Sequence, residues 1–525
     1  MKMRSFRQIF KQNQPGDAAV PDQQPPQSLG RFEYSPLPGR THIRLLRFLG
    51  PVPKPGRSAD VEVELSTHPL GEETAFQCLS YAWGNPTFAH SKSAEEVAHA
   101  YEHEYDISVN GAAFPVKKNL HDALKMLRTR EAGRHRARLY WIDAICIDQG
   151  NLREKGEQVA MMDKIYSTAE ETIAWAGPQD EFTEDAVSLI QSLGSIPRNR
   201  HRPLSLADWN GDQEKVLGRM GAKPRRRFGT VATLKWMDLL AFFNRPYFGR
   251  IWVVQEIVLS RSVVLVCGKH ELAWDLLSNT LAFLLTSGWV EHIRVQFFRG
   301  YPNIMASATK YRRLLEQRNL GIGIPVVNLE QTRTGIRQVH HLALFRYLLE
   351  AYREADATRP EDKIYALLGL AWKDRPPFST HPGVLTPDYS LNPEDVYIKT
   401  ARLMLLSHGD LRYLCHVEDR SLRKLKGLPS WVPDYSVPLR PLPYYLLSST
   451  KFDASKGLAC FRCEDDMFSR DLRVSGFRLS PIVATARFYY PEDETENERY
   501  VAEAMQAIAA FVAGISDAQL LLMKP

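Results

Sequence analysis

The run LYWIDAICIDQ at residues 139–149 decides the fold, because it combines the apolar character of a buried strand with two carboxylates. A solvated loop would not need Trp141 and its apolar neighbours. A strand that is apolar on both faces is typical of a parallel sheet whose faces are covered. The sequence therefore predicts a central strand over residues 139–147, with Asp143 in its middle and Asp148 just beyond its end.

Strand and helix patterns alternate on both sides of this run. Short apolar runs bounded by turn residues predict strands, and apolar residues at intervals of three or four predict helices. The predicted strands are residues 42–48, 61–65, 76–81, 172–177 and 262–268, and the predicted helices are residues 119–128 and 154–169. A third helix is predicted within residues 242–260, with Pro246 near its start and an apolar run to Leu259. Strands that alternate with helices are typical of a parallel sheet covered on both faces. We therefore predict an α/β fold with a parallel sheet flanked by helices.

Two local signals add detail to this pattern. The stretch YDISVNGAAFPV at residues 105–116 predicts a hairpin, because Asn110-Gly111 suits a tight two-residue turn. Asn119 precedes an apolar helical pattern, so we expect its side chain to cap that helix.

Composition divides the chain of 525 residues into three segments. Residues 1–30 are rich in proline, glutamine and charge, which predicts a disordered N-terminal segment. Residues 31–275 contain the α/β pattern, and a polar insertion interrupts it at about residues 195–230. Residues 276–525 carry mostly helical patterns, so a mainly helical C-terminal region is predicted, with an extended stretch at residues 428–436.

Charge and cysteine usage argue against several classes of function. The net charge of +6 is mild for this length, and the densest basic cluster, KPRRR at residues 223–227, has no interleaved aromatic residue. We therefore predict a solvated loop there and no nucleic-acid partner. The pair Cys460 and Cys463 has no second pair at metal-ligand spacing, so no metal is predicted. This cysteine usage fits a reducing compartment, and we expect a cytoplasmic protein.

Motifs of several common protein classes are absent from the sequence. No run reaches about 18 apolar residues, so no membrane-spanning helix is predicted. The sequence also lacks a GxSxG elbow, a phosphate-binding GxxxxGK loop, a GxGxxG loop after a strand and an HExxH helix.

Polar residues after the central strand indicate a cleft. Ligands of open parallel sheets bind beyond the carboxyl ends of the strands, which is where Asp148 and Gln149 are predicted to lie. Asp143 must find a donor, since an unpaired buried carboxylate is costly. Two structural alternatives stay open: Asp148 caps the next helix, and Asp143 pairs with a neighbouring strand or with an arginine.

The run RIWVVQEI at residues 250–257 is the second candidate element. Trp252 and Glu256 are four residues apart, so they share one face of a helix. That face offers a ring for stacking and a carboxylate beside it. The alternative is a core tryptophan with Glu256 salt-bridged to Arg245 or Arg250.

Six motifs, taken together and in order, resemble the fungal heterokaryon-incompatibility (HET) domain. They are LSYAWG at 79–84, NLHDAL at 119–124, YWIDAICIDQ at 140–149, EQVAMMDKIYSTA at 157–169, IAWAG at 173–177 and RIWVVQEI at 250–257. The resemblance covers roughly residues 76–260, and residues 357–370 and 428–436 resemble segments that commonly follow this domain. It implies a role in fungal non-self recognition, with programmed cell death as the output.

One position departs from this resemblance. The family often has Glu-Arg where this chain has Glu154-Lys155-Gly156-Glu157. Glycine inside a helix costs about 1 kcal/mol relative to alanine, so we predict that this helix begins after Gly156.

The HET domain is in turn remotely similar to TIR domains, which implies a flavodoxin-like parallel sheet and cleavage of NAD. By position, the resemblance makes Glu256 the catalytic carboxylate. The implied substrate-binding residues are Ser80, Tyr81, Trp83, Gly84, Asp143, Asp148, Gln149 and Trp252. NAD is the implied substrate, and no cofactor is expected.

A second hypothesis needs no catalysis. TIR-like domains often act by self-association, and the HET domain would then be a signalling module that associates with itself. A protein trigger, which the sequence does not identify, would act through the C-terminal region, which would sense that partner or restrain the domain.

Overall fold

The computed structural model describes residues 30–50, 60–71, 73–87, 101–132, 137–223, 232–289, 324–335, 341–372, 385–408, 411–439 and 467–474. The predictions for residues 1–29, for residues 224–227 of the basic cluster and for Cys460 and Cys463 lie outside the described residues. The chain divides into two compact units. The first is Met1–Gly457 with Cys463–Leu472, and the second is Leu458–Arg462 with Arg473–Pro525. All the strands and helices that the structure describes lie in the first unit.

Nine strands of the described residues form one mixed sheet. They are β1 (His42–Phe48), β2 (Glu62–Pro69), β3 (Gln77–Tyr81), β4 (Glu104–Val109), β5 (Ala112–Lys117), β6 (Tyr140–Trp141), β7 (Glu171–Trp175), β8 (Val263–Cys267) and β9 (His270–Ala273). Across the sheet the order is β5-β4-β2-β1-β6-β3-β7-β8-β9. Strands β6, β3, β7 and β8 are parallel, whereas β1 is antiparallel to β6 and β9 to β8. The α/β class is confirmed, and the expected parallel arrangement holds for these four central strands.

Helices flank the sheet and continue after it. They are α1 (Lys118–Glu131), α2 (Asp143–Cys146), α3 (Leu152–Val159), α4 (Met162–Thr168), α5 (Thr183–Gly194), α6 (Leu206–Asn210), α7 (Gln213–Arg219), α8 (Ala232–Phe243), α9 (Pro246–Gly249), α10 (Ile251–Val258), α11 (Trp274–Ser287), α12 (Ile324–Gly335), α13 (His341–Ala351), α14 (Asp362–Ala371) and α15 (Pro393–His408). The described residues after α11 are helices joined by turns, and residues 428–436 form turns, not the predicted extended stretch.

The central strand is shorter than predicted. Strand β6 covers only Tyr140–Trp141, and the chain then enters helix α2, whose first residue is Asp143. The Asp143 Oδ1 accepts a hydrogen bond from the Ala144 N–H at 2.7 Å. Such local bonds compete with a strand ladder. The predicted strand over residues 139–147 is therefore wrong, and Asp143 lies beyond the carboxyl end of β6.

The predicted hairpin forms as β4 and β5. Asn110 and Gly111 both have positive φ angles, 50° and 81°, as a tight turn of the mirror-image type requires. The predicted cap at Asn119 is wrong, because the helix starts one residue earlier and its cap position is Lys117. The Asn119 carboxamide instead accepts a hydrogen bond from the Trp175 indole N–H (2.9 Å) and donates to the Ala82 carbonyl (2.6 Å).

Two predicted helices are each divided. Residues 154–169 form α3 and α4, and the helical part of residues 242–260 is divided among the end of α8, α9 and α10. Helix α3 begins before Gly156, with Asn151 as its N-cap, whose side chain accepts a hydrogen bond from the Glu154 N–H at 3.1 Å.

Gly156 lies where the chain packs closely on α3. A Cβ at this position would lie 3.1 Å from the carbonyl oxygen of Pro387. Such a distance is shorter than ordinary van der Waals contact, so a larger residue would push the backbone of Pro387 away. The glycine that weakens the helix therefore permits residues 385–390 to lie against it.

Helix α10 lies between the sheet and the helices that follow. It contacts β3 and β7, and it also contacts α4, α12 and α14. The Gln255 amide fits its surroundings when its nitrogen donates to the Ala366 carbonyl (3.1 Å) and its oxygen accepts from the Asp163 N–H (3.0 Å). Opposite it, a Cβ at Gly369 of α14 would lie 2.8 Å from the Asp163 Cβ and from one terminal atom of the Gln255 amide. Helices α4, α10 and α14 therefore meet with no space for another methyl group.

The substitution Gly369→Ala tests this close packing. We expect it to destabilise the fold by about 1–3 kcal/mol, because the added methyl group overpacks the contact. Where space is available, the same change inside a helix stabilises by about 0.5–1 kcal/mol. Gly218→Ala in α7 is the matched control, because a Cβ there meets nothing within 4 Å. The midpoint of thermal unfolding should fall for Gly369→Ala and hold or rise for Gly218→Ala; a rise in both would contradict the packing.

Candidate functional site

Ser80 of β3 and Glu256 of α10 form a buried pair. The Ser80 Oγ donates to the Glu256 Oε2 at 2.5 Å and lies 2.7 Å from the Tyr247 hydroxyl oxygen. Ser80 is 1% exposed and Glu256 is 5% exposed. The pair forms because α10 packs across β3, and it joins two positions that are 176 residues apart in the chain.

The electrostatic environment holds the Glu256 carboxyl near its titration midpoint at neutral pH. Burial raises the pKa of Glu256 to about 7, and the negative charge of Asp143 adds to the rise. The hydrogen bond from Ser80, the charge of Arg250 and the Tyr166 hydroxyl act in the opposite direction. A pKa this far from the ordinary range is common at functional sites, although structural networks produce it too.

The two arginines considered as partners of Glu256 bind elsewhere. The Arg245 Nη2 lies 2.7 Å from the Asp180 Oδ2, and the Arg250 Nη1 donates to the Tyr81 carbonyl oxygen at 2.6 Å. Neither arginine forms an ion pair with Glu256 in the described part of the chain. That alternative is therefore wrong, and hydroxyl groups solvate the carboxyl instead.

Half-buried side chains meet beyond the carboxyl ends of β3 and β6, at the position where the cleft was predicted. The Trp83 Nε1 donates to the Asp143 Oδ2 at 3.0 Å, and the Gln149 Nε2 donates to the Asp143 carbonyl oxygen at 3.0 Å. Burial raises the pKa of Asp143, while the charge of Arg250 lowers it. Gly84, the next residue after the tryptophan, is exposed and has open space around it.

Residues from beyond α10 lie next to these side chains. Asp362, the first residue of α14, accepts a hydrogen bond from the Tyr389 hydroxyl at 2.9 Å and lies beside the Trp252 indole. The Lys155 Nζ and the Arg359 guanidinium lie 4.6 and 5.0 Å from the centroid of the Tyr389 ring. Burial lowers the pKa of Lys155, and the charges of Asp362 and Asp143 oppose that shift.

Asp148 faces a different cavity. Its Oδ1 accepts a hydrogen bond from the Gly150 N–H at 3.0 Å. Because Asn151 caps α3, the alternative of Asp148 as the cap is wrong. The cavity, of about 410 Å³, lies between residues 34–40 and helix α3.

The implied site residues therefore separate into three groups. Ser80, Tyr81 and Glu256 lie in the interior. Hydrogen bonds join Trp83, Asp143 and Gln149 at the end of the parallel strands, with Gly84 next to Trp83, and Trp252 lies beside Asp362. Asp148 lines a separate cavity. The arrangement offers rings, carboxylates and cations at one end of the parallel strands, with a protonatable carboxyl beneath them.

The sequence reasoning missed several residues that build the site. Tyr166 and Tyr247 contact the buried pair, and Lys155, Asp362 and Tyr389 contact one another next to Trp252. Two sequence signals pointed toward the last group. Asp362 lies within residues 357–370, which resemble a segment that commonly follows the domain. Lys155 lies within residues 154–157, where the sequence departs from the resemblance.

The described residues contain neither a cluster of metal ligands nor a helix that could span a membrane. Within those ranges no group of three or more histidine, cysteine, aspartate or glutamate side chains is arranged to hold a metal ion. In the same ranges no helix combines the length and the apolar character needed to cross a membrane.

Comparison with known proteins identifies related sequences. Residues 76–256 match the sequence model of the family described as heterokaryon incompatibility protein (HET). Over 432 residues the chain is 24% identical to heterokaryon incompatibility protein 6, OR allele, of Neurospora crassa. That match covers 75% of this chain and 58% of the relative, so the chain spans little more than half of the relative's length. No solved structure matches the chain.

The substitution Glu256→Gln should change how stability depends on pH. The folded pKa of about 7 lies above the ordinary 4.5, so the folded chain holds this proton more tightly than the unfolded chain does. The resulting stability is full below about pH 4.5 and is lost as pH rises through 7, by about 3 kcal/mol. Glutamine does not titrate. From about pH 4 to pH 8 the unaltered chain should lose this stability, and the variant should not. The unfolding free energy of the variant minus that of the unaltered chain should therefore rise by about this amount.

Urea unfolding at a series of pH values measures this difference. Glu64→Gln on β2 is the matched control, because its side chain is 39% exposed and pairs with Arg47 at the surface. An exposed pair contributes about 0–1 kcal/mol, so the control should run nearly parallel to the unaltered chain. A Glu256→Gln difference that stays constant across this pH range would show that the carboxyl is not held in its protonated form.

Proposed function

Because residues 76–256 of this chain are a heterokaryon incompatibility (HET) domain, we propose that the chain acts in fungal heterokaryon incompatibility. In this role it links non-self recognition to programmed cell death, and it acts in the cytoplasm. The proposal draws on the domain and on the name of the related Neurospora crassa protein. The trigger is a protein partner.

A TIR-like arrangement of the domain is part of this proposal. In chain order the four parallel strands are β3, β6, β7 and β8. Their order across the sheet is β6-β3-β7-β8, which is 2-1-3-4 when the strands are numbered along the chain. Flavodoxin-like sheets have the strand order 2-1-3-4-5, and the agreement over four strands supports a TIR-like core. The hairpin β4-β5 and helix α1 are inserted between the first two of these strands.

The geometry favours signalling by binding over catalysis by Glu256. A carboxylate that stabilises a developing positive charge must reach the reacting atoms. The Glu256 side chain is 5% exposed and already bonds to Ser80. That enclosure is the observation on which the proposal rests: Glu256 supports the fold of the domain, and the domain signals through self-association or partner binding.

Cleavage of NAD is the second candidate function, and one observation favours it. The pKa of Glu256 is raised to about 7 with Asp143 as a contributor, and coupled carboxyls with raised pKa values are typical of sites that break glycosidic bonds. The half-buried Trp83 and Trp252 rings would stack on bases. This function requires α10 or its neighbours to move so that the Glu256 carboxyl opens to the cleft.

Inducible expression of the full chain in a filamentous fungus tests the proposed role. We expect growth arrest and uptake of a vital dye after induction, because an incompatibility protein at high level ends in cell death. Leu79→Asp is the control, since Leu79 is 1% exposed in β3 and a buried charge prevents folding. Equal survival of cells with the unaltered chain and with Leu79→Asp, at matched protein levels, would overturn the role in cell death.

Glu256→Gln in the same assay separates binding from catalysis. Glutamine resembles the protonated carboxyl, so signalling by binding should leave killing unchanged. Loss of killing, together with nicotinamide release from NAD by the purified unaltered chain but not by Glu256→Gln, would instead establish catalysis through Glu256. Killing retained without nicotinamide release would remove the catalytic candidate.

A further inference from the structure

Five cations at residues 198–223 form a surface apart from the cleft. We name this surface the cationic face, and it consists of Arg198, Arg200, Arg202, Arg219 and Lys223, all exposed. The Lys223 N–H donates to the Ser195 Oγ at 2.8 Å, and a Cβ at Gly221 would lie 3.1 Å from the Arg200 Nη1. These two contacts bring the beginning and the end of the segment together.

Among the described residues, no ion pair neutralises the charges of the cationic face. Where these arginines make a hydrogen bond, the acceptor is neutral: Arg198 donates to the Ser278 hydroxyl, and Arg202 and Arg219 donate to carbonyl oxygens. In the described part of the chain, none of the five lies within 4.0 Å of a carboxylate oxygen.

The carboxylates of the same segment serve its own helices. Asp208 forms a capping box with Ser205 at the start of α6, and Asp212 caps α7 through the Lys215 N–H. Hydrogen bonds from Ser205 lower the pKa of Asp208, and the charges of Arg202 and Arg219 act in the same direction. Residues 195–223 contain six lysines and arginines against three aspartates and glutamates, a net charge of +3. An unpaired excess of this kind attracts an anionic surface.

The apolar residues around the cationic face favour a lipid surface over nucleic acid. Leu206 at the start of α6 is 52% exposed, whereas Trp209, Trp236 and Trp289 are buried. Binding of single-stranded nucleic acid uses exposed aromatic rings on which bases stack, and the described part of this segment presents none. An exposed leucine among cations suits the boundary between headgroups and acyl chains.

We propose that the cationic face docks the chain on a membrane surface rich in anionic phospholipids. The guanidinium and ammonium groups bind the headgroup phosphates and carboxylates, and Leu206 enters the acyl boundary. This binding is peripheral and reversible, and it is independent of the cleft and of NAD.

Co-sedimentation of the full chain with vesicles tests the proposal. The chain should sediment with vesicles of phosphatidylcholine mixed with phosphatidylserine, and not with phosphatidylcholine alone. The triple variant Arg200→Gln, Arg219→Gln, Lys223→Gln should lose about 100-fold in affinity, because each cation near an anionic surface contributes about a factor of 5. High salt should release the unaltered chain.

A control variant that loses the same charge outside the cationic face shows whether the position of the cations matters. Lys117→Gln, Arg420→Gln and Lys426→Gln remove three exposed cations that are not part of the cationic face, and they should leave vesicle binding within about twofold. Thermal unfolding should be unchanged in both triple variants.

Three results would overturn the proposal. The chain fails to sediment with either vesicle, the two triple variants lose binding equally, or the unaltered chain binds duplex or single-stranded nucleic acid and ignores the vesicles. The last result would assign the cationic face to nucleic acid.

Discussion

Helix α10 packs on the sheet with one side and on other helices with the opposite side, and the surrounding structure depends on both contacts. On the side of the sheet it carries the Glu256 carboxyl, which needs hydrogen bonds because a buried carboxyl without partners is costly. Ser80 supplies one of them from β3. On the other side α10 packs on α14 and α12, where Gln255 bonds to Ala366. A shift of this helix would therefore disturb both the hydroxyl groups around the carboxyl and the helix contacts.

Much of the architecture could be predicted from local sequence. The apolar runs of β3, β7 and β8 and the Asn110-Gly111 turn are decided within a few residues of chain, so patterns found them. The strand at residues 139–147 was predicted too long, because apolar character does not distinguish a strand from a buried helical turn. The Asn119 cap failed for a different reason: its amide found partners in Trp175 and Ala82, which lie far away in the sequence.

The candidate site was less predictable, because its contacts join distant parts of the chain. The sequence singled out Glu256 and Ser80 separately, yet nothing local shows that they meet. The pairing of Trp252 with Asp362 crosses 110 positions and leaves the range of the family match. Electrostatics adds a further difficulty, since the raised pKa of Glu256 results from burial and from Asp143 together. Neither cause can be read from the motif RIWVVQEI.

The close contacts at Gly156 and Gly369 limit how the gene for this chain can recombine with related genes. Each glycine lies in a helix whose neighbour comes from the other side of residue 256: Pro387 against Gly156, and Asp163 with Gln255 against Gly369. Recombination between related genes near residue 256 would join halves that had not been selected together. A larger residue at either glycine would then meet an unadjusted neighbour. The fold should therefore tolerate exchange of surface segments more readily than exchange of whole C-terminal halves.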